Sequence, residues 1–173
     1  MTAVFLGGSR AVSRLNGVIR EQLDNLIERE CLILIGDANG ADKAMQGYFA
    51  QRRYPNVVVF CMGHPRNNVG SWPTRVIASD RTTRDRAYYT IKDRAMANEA
   101  KCGLMLWDAE SKGTLANIFT LLNEQKKVLV YLSPAKKFYK ITRPDELEML
   151  LDRCDRKTVE SLKRSAQLRL GTS

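Results

Sequence analysis

Five short apolar runs punctuate the chain, at residues 2–6, 31–35, 57–61, 103–107 and 128–132. They are continuously apolar rather than alternating, which is the pattern of strands covered on both faces. Between them lie stretches with helical spacing. Residues 15–30 place apolar side chains at Leu15, Val18 or Ile19, Leu23, Leu26 and Ile27, and residues 40–52, 84–100 and 113–123 read as further helices. Strands that alternate with helices need crossover connections, and crossovers build a parallel sheet. The expectation is an α/β fold with about five parallel strands flanked by helices, with C-terminal helices added.

A length of 173 residues suits one core. Residues 1–135 carry the strand–helix alternation and read as the ligand-binding domain. Residues 136–173 read as a helical extension packed on it, with Thr142, Arg143 and Pro144 before helices at 145–154 and 156–168. Residues 62–83 hold Gly63, Pro65, Asn67, Asn68, Gly70 and Pro73 and read as one long loop, a length common in lids and binding loops. Hydrophobic residues make up 44% and charged residues 27%, and no apolar run approaches the roughly 20 residues that span a bilayer. The first residues enter a strand directly, with no basic leader, so a cytoplasmic location without membrane contact is expected. Cys31, Cys61, Cys102 and Cys154 are widely spaced and read as reduced thiols. His64 is the single histidine, so neither a metal site nor a cofactor is expected.

In a parallel sheet, ligands bind beyond the carboxyl ends of the strands. Three strand ends here carry special turns, and the topology brings all three to one edge. They are Gly7, Gly8, Ser9 and Arg10; then residues 36–42 with Gly36, Asp37, Gly40 and Asp42; then residues 108–114 with Ser111, Lys112, Gly113 and Thr114. Glycine allows a tight turn and leaves room for a phosphate, and the helix that follows offers free N–H groups and a positive dipole end. Hydroxyls of Ser9, Ser111 and Thr114 add donors, and Arg10 and Lys112 add charge. The set reads as one binding site for a phosphate-bearing nucleotide or nucleotide derivative.

These residues resemble a family. Gly7-Gly8-Ser9-Arg10, Gly36-Asp37-Ala38 with Gly40-Ala41-Asp42, the helix from Arg84 and Asp85 through Met96, and Ser111-Lys112-Gly113-Thr114 are similar to the SLOG superfamily over roughly residues 2–132. That is a Rossmann-like group that includes the LOG phosphoribohydrolases and the DNA-processing protein DprA, and the likeness is to its small YspA-like branch. The resemblance implies a Rossmann-like fold that binds nucleotides or nucleotide sugars such as ADP-ribose, with cleavage of an N-glycosidic bond in some members. The LOG motif ends in a catalytic glutamate, and aligning it on Gly113 and Thr114 sets Asn117 there. The LOG Arg-Lys pair falls on Lys92 and Asp93, while Met96 matches. LOG hydrolysis therefore does not carry over. A glycosidase or glycosyltransferase-like reaction would need another carboxylate at the ribose carbon, with Asp37, Asp42, Asp108 and Glu110 as candidates.

Net charge is +9, concentrated in residues 51–94, with nine Lys and Arg against three Asp, and in residues 136–173, with ten against six acidic residues. Anionic partners follow from this excess. Within residues 84–100, Arg84, with Lys92 or Arg94, can reach a phosphate, and Tyr88 or Tyr89 can stack on a base. The same residues can equally form a solvated helix that packs Ile91, Ala95 and Met96 inward. His64 and Trp72 are weaker loop candidates, Trp72 as a ligand cap or a loop anchor, and Trp107 reads as packing. Two function classes stay open: a sensor of, or enzyme on, a small nucleotide-like molecule, and a nucleic-acid-binding module of DprA-like type. A homodimer through residues 84–100 is a further expectation.

Overall fold

The first apolar run becomes strand β1 (Ala3–Gly8), which lies in the middle of the sheet in a computed structural model describing residues 1–170. The chain continues through α1 (Gly17–Glu28), β2 (Leu32–Ile35), α2 (Ala41–Gln51), β3 (Val57–Cys61), β4 (Thr74–Val76), α3 (Arg86–Glu99) and β5 (Cys102–Trp107). It ends with α4 (Lys112–Asn123), β6 (Lys127–Leu132), β7 (Lys137–Ile141), α5 (Pro144–Leu151) and α6 (Arg156–Leu170). The sheet order is β4-β3-β2-β1-β5-β6-β7. Every neighbouring pair is parallel except β6 and β7. The α/β reading holds, with a mostly parallel sheet between helices.

Alternate strand residues feed two cores. Phe5, Leu34, Met105 and Trp107 join Met96, Leu115 and Ile118 of α3 and α4, and the same cluster takes in Leu147, Leu151, Val159 and Leu162 from α5 and α6. Val4, Leu6, Ile33, Ile35 and Leu106 join Ile19, Leu23, Met45 and Phe49 of α1 and α2 on the opposite face. Burial on both faces is what made the strand runs continuously apolar.

The sheet has two strands more than the five expected. Thr74–Val76 follows Pro73 and extends the edge beside β3, with Thr74 opposite Val59 and Val76 opposite Cys61. All three residues are exposed, so burial imposes no apolar pattern on them. Lys137–Ile141 folds back on β6 as a hairpin, inside the segment expected to be helical. The helix expected from residue 84 starts at Arg86, because the Asp85 side chain accepts the Tyr88 N–H and caps it from outside. Arg84 thus precedes the helix.

Three helices end in the same way. Glu30, Arg53 and Gln125 follow the last turns of α1, α2 and α4 with φ of 53°, 51° and 60°. Each sits in a pair of capping bonds, such as Cys31 N–H to Leu26 C=O with Glu30 N–H to Ile27 C=O. No helix among the described residues is long and apolar enough to cross a membrane. All four cysteines are free, Cys31 and Cys61 buried and Cys102 and Cys154 half-buried.

Candidate functional site

From β1 the strand order runs outward one way through β2 and the other way through β5. The carboxyl ends of these strands therefore part around β1, which is where open α/β sheets bind ligands. A cleft of about 960 Å³ opens there and runs between α3 and the length of α4, from Ser111 to Asn123.

The β1 side is built from close packing. Gly7 and Gly8 are the last residues of β1, paired with Met105 and Leu106, and the turn begins only at Ser9. A Cβ on Gly8 would stand 2.5 Å from the Leu106 carbonyl oxygen and 2.7 Å from Ala41 Cβ. Gly40 has φ +86°, and its Cβ would fall 2.3 Å from the Arg10 carbonyl oxygen. Both glycines let the β1 turn seat directly on the start of α2. Gly8 also lines the cleft, whereas Gly40 lies behind it.

The α4 side is a hydrogen-bonded turn. Ser9 Oγ donates to Asp108 Oδ1 at 3.1 Å and accepts the Asp108 N–H at 3.1 Å. The same Oδ1 accepts the N–H groups of Glu110 at 2.9 Å and Ser111 at 2.7 Å. Ser111 caps α4 by accepting the Thr114 N–H, and the buried Trp107 indole donates to the Ser111 carbonyl at 3.0 Å. No acceptor among the described residues takes the N–H groups of Lys112 and Gly113. Gly113 borders the cleft, with open space where its Cβ would be. The free Gly113 N–H and the positive end of the α4 dipole thus lie at that end of the cleft, with Lys112 outside its lining.

The β2 side is a buried ionic cluster. Asp37, 2% exposed, accepts the backbone N–H of Arg66 at 2.9 Å and its guanidinium at 2.8 Å. Burial works to raise the Asp37 carboxyl, but the Arg66 bonds and the Lys92 charge outweigh it and hold it below the usual range. Arg66 also lies over the Tyr89 ring at 4.3 Å, which ties residues 62–83 to α3. Lys92 of α3 is 4% exposed, with its Nζ 3.2 Å from Asp93 Oδ1 and 3.9 Å from Asp37 Oδ1. Burial works to lower the Lys92 ammonium, yet Asp93, Asp42 and Asp37 together raise it. Asn117 donates to Asp93 Oδ2 at 3.3 Å. Asp42, in the first turn of α2, is buried rather than on the surface, and burial lifts its carboxyl to about 6 against the pull of Lys92.

Of the residues singled out by sequence, Gly7, Gly8, Arg10, Gly36, Asp42, Arg84, Asp108, Ser111, Gly113 and Thr114 line the cleft. Ser9 and Asp37 are buried outside its lining, while Glu110 and Lys112 are exposed and also outside it. Trp72 anchors the loop by donating from its indole to the Tyr54 carbonyl at 2.8 Å, away from the cleft. His64 is exposed and likewise apart. Within α3, Lys92, Met96 and Ala97 are buried, and Ile91 and Ala95 are half-buried. Tyr89 borders the cleft while Tyr88 meets it edge-on from outside. The sequence reading missed Arg66, a single arginine in an irregular segment with no motif around it. Among the described residues, no three His, Cys, Asp or Glu side chains gather as metal ligands.

Fold and cleft together define a Rossmann-like α/β protein with an open cleft at the strand ends. A solved structure of DNA processing protein A from Helicobacter pylori, a study of its single-stranded DNA binding mode, is similar in fold, with a TM-score of 0.60 at 13% identity. The match covers 95% of this chain and 81% of that one. No protein-family model and no curated protein sequence matches the chain.

Proposed function

We propose that the cleft binds a phosphate-bearing nucleotide or nucleotide derivative, such as a nucleoside phosphate or an ADP-ribose-like molecule, as a cytoplasmic sensor or N-glycosidic-bond enzyme. One observation carries this reading: Gly113, whose N–H at the start of α4 has no acceptor among the described residues, borders the same cleft as Gly7, Gly8 and Gly36. An anion held there gains that donor, the dipole and the surrounding arginines. On the same reading the chain is a member of the YspA-like branch of the SLOG superfamily. The support is the pair of strings from Gly36 to Asp42 and from Ser111 to Thr114. Of the four carboxylates considered for glycosidic chemistry, Asp42 both lines the cleft and is lifted to about 6, so it is the carboxylate on which such cleavage would depend.

The test is calorimetric titration of AMP, ADP-ribose and NAD into wild type and Gly113→Asp, with released base followed by chromatography. Aspartate suits the first turn of a helix and has open space here, so the variant folds while setting a negative charge where the phosphate would lie. Saturable binding lost in Gly113→Asp is expected. Absence of binding by wild type, or equal binding by the variant, refutes the assignment.

The likeness to DNA processing protein A favours a second reading, in which Arg10, Arg84 and Arg94 at the mouth hold single-stranded DNA. That reading predicts tighter binding of oligonucleotides than mononucleotides, with a steep loss as salt rises.

A further inference from the structure

We propose that Asp42 accepts hydrogen bonds from the 2′,3′-diol of a ribose, so that the cleft selects a ribonucleotide over its 2′-deoxy counterpart. The assignment rests on the nucleotide reading above and names the sugar that the same cleft takes. A carboxylate is an acceptor that repels phosphate, so the part of a ligand that meets it must donate. Four carboxylates border the cleft: Asp42, Asp85, Asp93 and Asp108. Asp93 has one oxygen on Lys92 and the other on Asn117. Asp85 is exposed and caps α3, and the half-buried Asp108 holds the α4 turn. Asp42 differs from all three. It is only 7% exposed, its Oδ2 accepts the Ala38 N–H at 3.2 Å, and no donor among the described residues reaches its Oδ1. The Oδ1 atom is therefore open to the cleft rather than sealed in the core, and a ligand donor can complete it there.

Position favours the sugar over the other parts of a nucleotide. Gly36 at the end of β2 has no Cβ, and one would stand 2.6 Å from Asp42 Oδ2 and 3.0 Å from Lys92 Nζ, so both charges crowd against the strand end. β1 separates β2 from β5, and α4 follows β5. Two strand spacings make about 10 Å, close to the span of a ribose 5′-phosphate with a hydrogen bond at each end. A phosphate on the Gly113 N–H therefore sets its diol beside Asp42. Of the aromatic lining that suits a base, Phe119 belongs to α4, apart from this ionic end, while the Tyr89 ring is covered by Arg66.

Titration of AMP, 2′-dAMP and IMP into wild type, Asp42→Asn and Asp42→Ala tests the assignment, with thermal melts reporting the fold of each variant. Wild type is expected to bind 2′-dAMP about 10- to 100-fold more weakly than AMP, and IMP within about threefold of AMP. In Asp42→Ala the gap between AMP and 2′-dAMP closes to within about threefold, and Asp42→Asn lies between. Equal binding of AMP and 2′-dAMP by wild type overturns the sugar assignment and leaves the nucleotide reading standing. So does a loss confined to IMP, which points Asp42 at the base amine, or a gap that survives in Asp42→Ala. If none of the three nucleotides binds wild type, the sugar assignment falls, and the nucleotide reading falls with it when ADP-ribose and NAD also fail to bind.

Discussion

Replacing Asp42 with asparagine should stabilise the protein above pH 6 and do little below pH 4. The buried Asp42 carboxyl is lifted from the ordinary 3.8 to about 6, with burial as the main cause. The folded state therefore binds this proton more tightly than the unfolded chain. The stability that protonation contributes is complete below pH 3.8 and is lost as pH rises through 6. At about 1.36 kcal/mol for each pH unit, wild type forfeits about 3 kcal/mol across that window. Asparagine keeps the shape of the side chain and can still accept the Ala38 N–H, but it does not ionise. The depressed Asp37 carboxyl works in the opposite sense, losing stability as pH falls, but it is common to both proteins and cancels in the difference. For a chain of 173 residues, a gap of about 3 kcal/mol corresponds to a Tm difference of roughly 6–12 °C. Thermal melts of both proteins from pH 4 to pH 8 measure it. A variant no more stable than wild type at pH 8, or a gap that does not change with pH, refutes the argument.

Gly40→Ala should destabilise by more than about 2 kcal/mol, since φ is +86° and the new Cβ meets the Arg10 backbone; urea unfolding reads the loss. Glu30→Gly, Arg53→Gly and Gln125→Gly should each stabilise by about 0.5–1 kcal/mol, because glycine relieves the left-handed strain at these exposed helix ends. The triple variant should melt several degrees higher. Trp72→Phe should cost about 1–3 kcal/mol by orphaning the buried Tyr54 carbonyl, and it should leave nucleotide affinity unchanged in calorimetry.

What the sequence conveys follows from which residues burial constrains. The central strands are covered on both faces, so their apolar runs mark them directly. Thr74–Val76 is an exposed edge of three residues, and Lys137–Ile141 reads Lys-Phe-Tyr-Lys-Ile, with charges that face solvent; neither carries a pattern that separates it from a loop. The glycine turns are legible as turns, but not the reason for each glycine. Gly8 and Gly40 are required by a Leu106 carbonyl and an Arg10 backbone that are brought close only by the fold, while Gly113 faces open space. Lys92 lies beside Asp93 in sequence, where a solvated pair is the natural expectation. Its charge is met in the interior by Asp37 and Asp42, which lie far off in sequence, and Asp37 is in turn held by Arg66, which no local pattern announces.

Within the ionic cluster at the end of β2, Asp42 is the member that works against stability, since the fold favours the charged forms of Asp37 and Lys92. Burying a carboxylate whose ionisation the fold resists costs about 3 kcal/mol near neutral pH, while an amide of the same shape costs none of it. The surrounding core shows what packing alone selects, since Ile33, Leu34 and Ile35 lead into the cluster with no polar group among them. A charged side chain held against that cost beside an open cleft is the arrangement expected of a group kept for what it binds rather than for the fold it weakens. The two effects of Asp42→Asn then run in opposite directions, towards a higher melting temperature above pH 6 and a weaker preference for ribose. A side chain with only a packing role would move the first quantity and leave the second where it was.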